Sequence, residues 1–304
     1  MRVYLLGNEP CPETEPLKEP PGNLALTVGN FDGVHLGHRA LINELVRRAR
    51  ERGLKPWALT FCPHPFELLG RPFCELTDLH EKLKLMSELP LEGVVVARFE
   101  TVSSLEPEEF LGLLTERLGV KYLLVGYDWR FGKGRKGDAP TARKIGLKLG
   151  LEVESFGPVK VKGRVVSSSL IRELLKQAKL DEAAELLGRR YWVERKVVKG
   201  RGLGTKLGFP TANLEGTERL CLKEGVYEVL VDGKLKGVAN YGRRPTLGGE
   251  ERRLEVHLPG FKGSLEGRYL RVEFLRFLRE ERKFPSLEAL RAQIEKDVKR
   301  VVHD

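Results

Sequence analysis

With 304 residues, 41% of them hydrophobic and 32% charged, the chain exceeds one small domain and is too apolar for disorder, so two packed domains are expected. No stretch reaches the roughly 20 apolar residues that cross a bilayer, and Met1-Arg2-Val3-Tyr4-Leu5-Leu6-Gly7 runs into Asn8, Glu9 and prolines too soon for a signal peptide, which implies a cytoplasmic location. The net charge of +10 predicts an anionic partner, but acids alternate with bases in Arg279-Glu280-Glu281-Arg282-Lys283, the pattern of solvated faces, so nucleic acid is not expected.

From about residue 22 to 178, short apolar runs alternate with amphipathic stretches, as a parallel sheet covered by helices requires. Strands are predicted at Leu24-Val28, Trp57-Thr60, Val94-Ala97, Tyr122-Val125 and Glu152-Phe156. Between them Ala40-Arg52 places Leu41, Leu45 and Val46 on one helical face. Asp78 with Glu81 forms a capping-box pattern, and Pro107 with Glu108 and Glu109 suits a first helical turn. Two further helices are predicted at Ser169-Lys179 and Asp181-Leu187, completing a doubly wound α/β domain.

After Gly188 the texture changes to short strands between glycine-rich turns: Trp192-Val198, Val226-Val231, Lys236-Ala239, Leu254-Leu258 and Leu270-Phe277, with a hairpin at Asp232-Gly233. A small antiparallel β-barrel closes such strands without leaving edges. Ser286-Val301 is predicted as a final helix capped by Ser286, with Leu287, Leu290, Ile294 and Val298 on one face. The cysteines Cys11, Cys62, Cys74 and Cys221 show neither metal spacing nor a disulfide-dense pattern, which fits a reducing compartment, and no chemistry is assigned to them.

The run Gly29-Asn30-Phe31-Asp32-Gly33-Val34-His35-Leu36-Gly37-His38 lies between a predicted strand and a predicted helix, where α/β sheets bind phosphates. Gly29 and Gly33 permit a tight turn, Gly37 admits a triphosphate, and His35 and His38 are placed to donate to phosphate oxygens during nucleotidyl transfer. A zinc site is the competing interpretation of the histidines, but no third ligand stands at ordered spacing. The loop from Gly126 to Asp138, rich in glycine, cations and aromatic rings, follows another strand, and its rings are expected to stack on a planar ligand. Val166 to Arg172 puts Ser167, Ser168 and Ser169 at a helix start with Arg172 one turn inside, a second phosphate grip.

These segments, with Thr60-Phe61-Cys62-Pro63-His64-Pro65, resemble the prokaryotic bifunctional riboflavin kinase/FMN adenylyltransferase family, and the resemblance runs from Asn23 onward. It implies that a nucleotidyltransferase domain, residues 1–186, transfers AMP from ATP to FMN. ATP contacts would come from Gly29, Phe31, Gly33, His35, Gly37, His38, Ser167 to Ser169 and Arg172, with His35 and His38 catalytic and Phe61, His64 and Asp128 near the flavin.

In the second half, Thr211 and Asn213 stand two apart after Phe209-Pro210, so that an extended segment would turn both oxygens to one side for a hard cation beside phosphates. Glu255 is a lone acid in an apolar strand. This half resembles a riboflavin kinase module, residues 187–304. The resemblance implies ATP contacts at Gly204, Lys206, Gly208, Pro210, Thr211 and Asn213, Mg2+ at Thr211 and Asn213, flavin contacts at Asn240 and Arg244, and Glu255 as catalytic base. The chain departs from the family pattern at Pro259-Gly260 and Leu265-Glu266-Gly267. ATP, riboflavin and FMN are the expected partners of a monomer or weak homo-oligomer. An aminoacyl-tRNA synthetase-like enzyme would share the His-x-Gly-His element but needs a second lysine-rich motif that is absent, and an RNA- or flavin-binding regulatory barrel would need neither cation ligands nor a base.

Overall fold

The computed structural model describes residues 1–6, 17, 19–68, 73–200, 208–246 and 249–302, the side chains of 244–246 and 249–250 excepted. The chain forms two compact units, Met1–Phe73 with Thr77–Ser167, and Cys74–Leu76 with 168–304.

The first unit is built on a parallel sheet of β1 (Arg2–Leu6), β2 (Leu24–Val28), β3 (Lys55–Cys62), β4 (Gly93–Arg98), β5 (Val120–Gly126) and β6 (Glu152–Phe156), in the order β1-β4-β3-β2-β5-β6. All five residues of β2 and the first five of β4 are buried, because helices cover both faces; their sequences therefore read as continuous apolar runs. The five expected strands are present, and β1, which was not expected, pairs with β4. Helix α1 (Leu36–Arg52) buries Leu41, Ile42, Leu45, Val46 and Ala49 and stops at Gly53, whose φ of 64° suits a left-handed cap. Around the sheet lie α2 (Pro65–Leu68), α3 (Leu79–Ser87), α4 (Phe99–Ser103), α5 (Pro107–Leu118) and α6 (Ala139–Leu149). The capping box of Asp78 and Glu81 and the proline in the first turn of α5 are as expected. The strand order reverses at β2, which pairs with β3 on one side and β5 on the other, so the carboxyl ends of β2 and β5 open the crevice where such sheets hold ligands.

In the second unit, α7 (Ser168–Lys176) and α8 (Leu180–Leu187) precede a closed barrel ordered β10-β13-β12-β11-β14-β9. Its strands are β9 (Trp192–Val198), β10 (Thr211–Leu214), β11 (Gly225–Val231), β12 (Leu235–Thr246), β13 (Gly249–His257) and β14 (Tyr269–Arg279). Asp232 and Gly233, with φ of 50° and 68°, make the expected turn between β11 and β12. Helix α9 (Leu287–Val302) begins as expected, with the Ser286 hydroxyl accepting from the Ala289 N–H at 3.2 Å. The expected face packs at its C-terminal end and not at its start. Val301, fully buried, joins Val298 against Val226, Val238 and Leu278, whereas Leu287 at the frayed start is 56% exposed.

Candidate active sites

The first candidate site is the loop between β2 and α1. Its backbone takes left-handed φ at Phe31 (49°), Gly33 (83°) and Val34 (38°), unusual for a phenylalanine and a β-branched residue. Phe31 and Val34 are buried, and a pair of polar ties holds the turn. The buried Asp32 carboxylate accepts from the Thr77 N–H (3.0 Å) and hydroxyl (3.2 Å), and the Thr77 hydroxyl accepts from the Gly33 N–H at 2.9 Å.

His35 caps α1: its Nδ1 accepts from the His38 N–H at 3.3 Å. A ring whose Nδ1 accepts carries its neutral-form proton on Nε2, so His35 presents an N–H donor at that edge. The two imidazoles stack with centroids 3.5 Å apart, and Phe31 meets His38 edge-on at 5.2 Å. A Cβ at Gly37 would lie 3.1 Å from the His35 ring and 3.6 Å from the Val166 carbonyl oxygen, so the glycine lets the segment ending in Ser167 run beside the helix start. The positive end of a 17-residue helix and two imidazoles are thereby grouped at the carboxyl end of the central strand.

Phe61 is the last but one residue of β3, half-buried and edge-on to Phe99 at 5.6 Å, and Asp128 lies exposed on the loop after β5. Beyond the cis Cys62–Pro63 bond, His64 is buried, stacked on Phe73 at 4.9 Å, with its Nδ1 accepting from the Phe66 N–H at 3.2 Å. The expectation that the aromatic rings of the loop after β5 serve a ligand is corrected for Phe131. Phe131 is buried in the sheet core and Trp129 stacks on it at 4.3 Å, because a bare Gly137 leaves room for the Phe131 ring; Tyr127 is the exposed ring, at 51%. The Thr141 N–H donates to the Asp138 carboxylate at 2.9 Å, starting α6 and holding that carboxyl below its usual range.

Ser168, Ser169 and Arg172 belong to the second unit, where the Arg172 Nε donates to the Cys74 carbonyl oxygen at 3.1 Å. Cys74 is in turn disulfide-bonded to Cys221, with Cα atoms 5.0 Å apart. The spacing of the cysteines gave no sign of this pairing, and the bond is a correction to the reading of a reducing compartment from them. Residues 147 apart meet because Glu75 bridges to Leu220 in a parallel pair, with the Glu75 N–H donating to the Arg219 carbonyl oxygen at 2.9 Å.

The second candidate site lies on the outer face of the barrel. Along β10, Ala212 and Leu214 point into the core, so Thr211 and Asn213 face out together, as their spacing predicts. Asn213 pairs directly with Glu255 on β13, and Glu255 pairs with Asn240 on β12, so amide, carboxylate and amide stand in one row across three strands. Opposed residues on one face hold their Cβ atoms about 5 Å apart. Glu255 is half-buried, between Leu254 and Val256 that face the core. One step along, Thr211 pairs with His257, whose Nδ1 lies 2.9 Å from the Pro210 carbonyl oxygen. A Cβ at Gly200 would collide with the Asn213 amide, so backbone passes close over that side chain. The Asn213 Nδ2 donates to the Thr211 carbonyl oxygen at 3.5 Å, leaving Oδ1 as an acceptor.

A hydroxyl, an amide oxygen and a carboxylate on one face form a hard-oxygen set suited to Mg2+ held partly by phosphate. Among the described residues there is no cluster of three His, Cys, Asp or Glu side chains that would cage a metal by themselves. Gly204 and Lys206 lie outside the described residues, as does the Arg244 side chain; Gly208 has a φ of 90° beside Phe209-Pro210. Thr77 had no place in the sequence motifs, Glu281 stood only in a run of alternating charges, and Gly200 opens the glycine-rich string that ends in Thr211 and Asn213.

Residues 17–170 match the family described as FAD synthetase, and residues 187–303 the one described as riboflavin kinase. Over 286 residues the chain is 39% identical to a bifunctional riboflavin kinase/FMN adenylyltransferase of Escherichia coli (strain K12), covering 91% of each. The enzyme of that description from Pseudomonas fluorescens is 39% identical over 284 residues, covering 90% of each chain. That of Haemophilus influenzae is 37% identical over 282 residues, covering 90% of this chain and 92% of the relative. The fold matches a crystal structure described as a macrolide-efflux protein from Streptococcus pneumoniae, with a TM-score of 0.80, 26% identity and 99% of each chain covered. Among the described residues of this chain, no helix is long and apolar enough to cross a membrane.

Proposed function

Because the chain belongs to the bifunctional riboflavin kinase/FMN adenylyltransferase family, and so phosphorylates riboflavin to FMN and adenylylates FMN to FAD, we propose that the two reactions divide between residues 1–186 and 187–304, on the two sites described above. What carries this division is that each unit has its own phosphate-handling constellation: the stacked His35/His38 pair at the start of α1, and the Asn213–Glu255–Asn240 row on the barrel.

In the adenylylation, an FMN phosphate oxygen bonds to the α-phosphorus of ATP while the bond to the β-phosphate oxygen breaks and pyrophosphate leaves. Little covalent chemistry is asked of the protein, so positioning and charge stabilisation dominate. The Nε2–H of His35 and the imidazole of His38 donate to the α-phosphate as charge builds on it, and the start of α1 with Gly29, Phe31, Gly33 and Gly37 cradles the triphosphate. Ser167 continues that surface beside Gly37; the phosphate roles of Ser168, Ser169 and Arg172, and the flavin roles of Phe61, His64 and Asp128, rest on the sequence motifs.

In the phosphorylation, Glu255 accepts the proton of the ribityl 5′-hydroxyl as that oxygen bonds to the γ-phosphorus and ADP departs. Thr211 and Asn213 would hold Mg2+, which supplies neutralisation of phosphate charge. Asn240 and Arg244 bind the flavin, and Gly204, Lys206, Gly208 and Pro210 bind ATP. We take the enzyme to act in the cytoplasm as a monomer or weak homo-oligomer, on small molecules and without nucleic acid.

The test is chromatography of products from riboflavin, ATP and Mg2+. His38→Ala should stop FAD and leave FMN accumulating, and Glu255→Ala should stop FMN while FMN supplied directly still becomes FAD. Loss of both reactions in either folded variant would refute the division.

A further inference from the structure

We propose that Glu281 is a positioning residue for the kinase reaction: it fixes the Asn240 side-chain amide so that the carbonyl oxygen, rather than the NH2, faces the flavin and accepts from a ring N–H or a ribityl hydroxyl of riboflavin. This rests on the assignment of Asn240 to the flavin. Glu281 lies just past β14, in the run Arg279-Glu280-Glu281-Arg282-Lys283 whose alternating signs suggest plain solvation. Three of its charges instead have distinct partners. Arg279 pairs with the buried Asp297 at 2.7 Å, Glu280 with Lys223 at 2.7 Å, and Glu281 Oε1 accepts from Asn240 Nδ2 at 2.9 Å.

The last contact is built into β12. Asn240 and Gly242 share its outer face, with Tyr241 pointing into the core between them, and the Glu281 carboxylate occupies the volume where a Cβ at residue 242 would stand. A carboxylate only accepts, so it pairs with the NH2 end of an amide and repels the carbonyl end. Asn240 is thus held in one of its two flip states, with Oδ1 directed away from Glu281, in the row that contains Glu255. The site then reads a donor on its ligand, and a ligand offering only an acceptor there would face two oxygens.

The experiment is steady-state riboflavin phosphorylation, with FMN adenylylation by the same preparations as the measure of intact fold. Asn240→Ala and Glu281→Ala should each raise the riboflavin KM by roughly threefold to tenfold, the loss of one hydrogen bond, with kcat within about twofold. Gly242→Ala should do the same, since its methyl displaces the carboxylate. Asn240→Asp should be worse, placing two carboxylates together, and adding Glu281→Gln to it should restore KM to within about threefold, because the glutamine NH2 then donates to the new carboxylate. That rescue does not depend on Glu281→Ala folding. An unchanged KM in Glu281→Ala and Gly242→Ala beside a raised KM in Asn240→Ala would overturn the positioning role alone, and so would absence of rescue. An unchanged KM in Asn240→Ala would overturn the flavin assignment of Asn240 and the proposal with it.

Discussion

Thr77→Val removes one hydroxyl and leaves the side-chain volume almost unchanged, so its effect reports the polar ties of the loop between β2 and α1 rather than packing. Thr77 is 2% exposed and Asp32 is 1% exposed, which rules out water as a ready substitute. The hydroxyl accepts from the Gly33 N–H at 2.9 Å and donates to the Asp32 carboxylate at 3.2 Å, while the backbone bond from Thr77 to Asp32 at 3.0 Å survives the change. A buried donor left without a partner costs about 1–3 kcal/mol, and a bond to a charged acceptor contributes about 1.5–3 kcal/mol. The two share a hydroxyl and one carboxylate bond remains, so about 2–4 kcal/mol is expected rather than the full sum. Left-handed φ at Phe31 and Val34 costs on the order of 1–3 kcal/mol each, which the loop retains only while these ties hold it. Relaxation would move His35 and His38, and misplacement of about 1 Å costs roughly a hundredfold in rate. Chromatography should therefore show FAD formation from FMN and ATP down by about tenfold to a hundredfold, with riboflavin phosphorylation within about twofold of wild type. A variant that unfolds at lower urea yet makes FAD at the wild-type rate would show that the loop geometry is not what Thr77 secures.

Gly200→Ala should lower riboflavin phosphorylation by about tenfold or more while FMN adenylylation persists, since the methyl displaces the Asn213 amide; equal kinase rates would remove Asn213 from the site. For Asp138, the folded carboxyl is held low by the Thr141 N–H, so its contribution is present above the ordinary carboxylate range and is lost as pH falls through the lowered value. Chemical unfolding should accordingly show Asp138→Ala less stable than wild type at neutral pH, with the gap closing in acid; a gap independent of pH would exclude the charged cap. Reduction, or Cys221→Ala, should lower stability by about 2–5 kcal/mol, the chain-entropy limit for a separation of 147 residues being about 5 kcal/mol. Identical urea midpoints with and without reductant would count against the disulfide.

The parallel strands were legible because burial on both faces leaves continuous apolar sequence, as in Val94-Val95-Val96-Ala97, and the helix ends were legible from local chemistry such as Asp78 with Glu81. The outward face of β10 followed from the two-residue period of Thr211 and Asn213 alone. Strand β1 escaped because Arg2-Val3-Tyr4-Leu5-Leu6 is a single short apolar run and its partner β4 is some ninety residues away. Sequence separations of 45 and 147 residues likewise hide the tie of Asp32 to Thr77 and the disulfide of Cys74 to Cys221, since nothing local in either segment names the other. Phe131 misled in the opposite sense: its loop looks like a ligand loop, but the folded chain buries the ring in the core.

The excursion of residues 74–76 changes what kind of object this two-unit enzyme is. The chain leaves the first unit at Cys74, gives three residues to the second, returns at Thr77 and crosses again after Ser167. Once Cys74 and Cys221 are bonded, the backbone between them is a closed covalent ring, and everything from Thr77 to Ser167 lies inside it. A nick after Ser167 would open that ring without releasing either piece. A gene cut at the same place would carry Cys74 to Leu76 away from Cys221 and the Arg219 carbonyl they bind. Two covalent paths therefore join the residues before and after that point, the peptide bond after Ser167 and the Cys74–Cys221 bond.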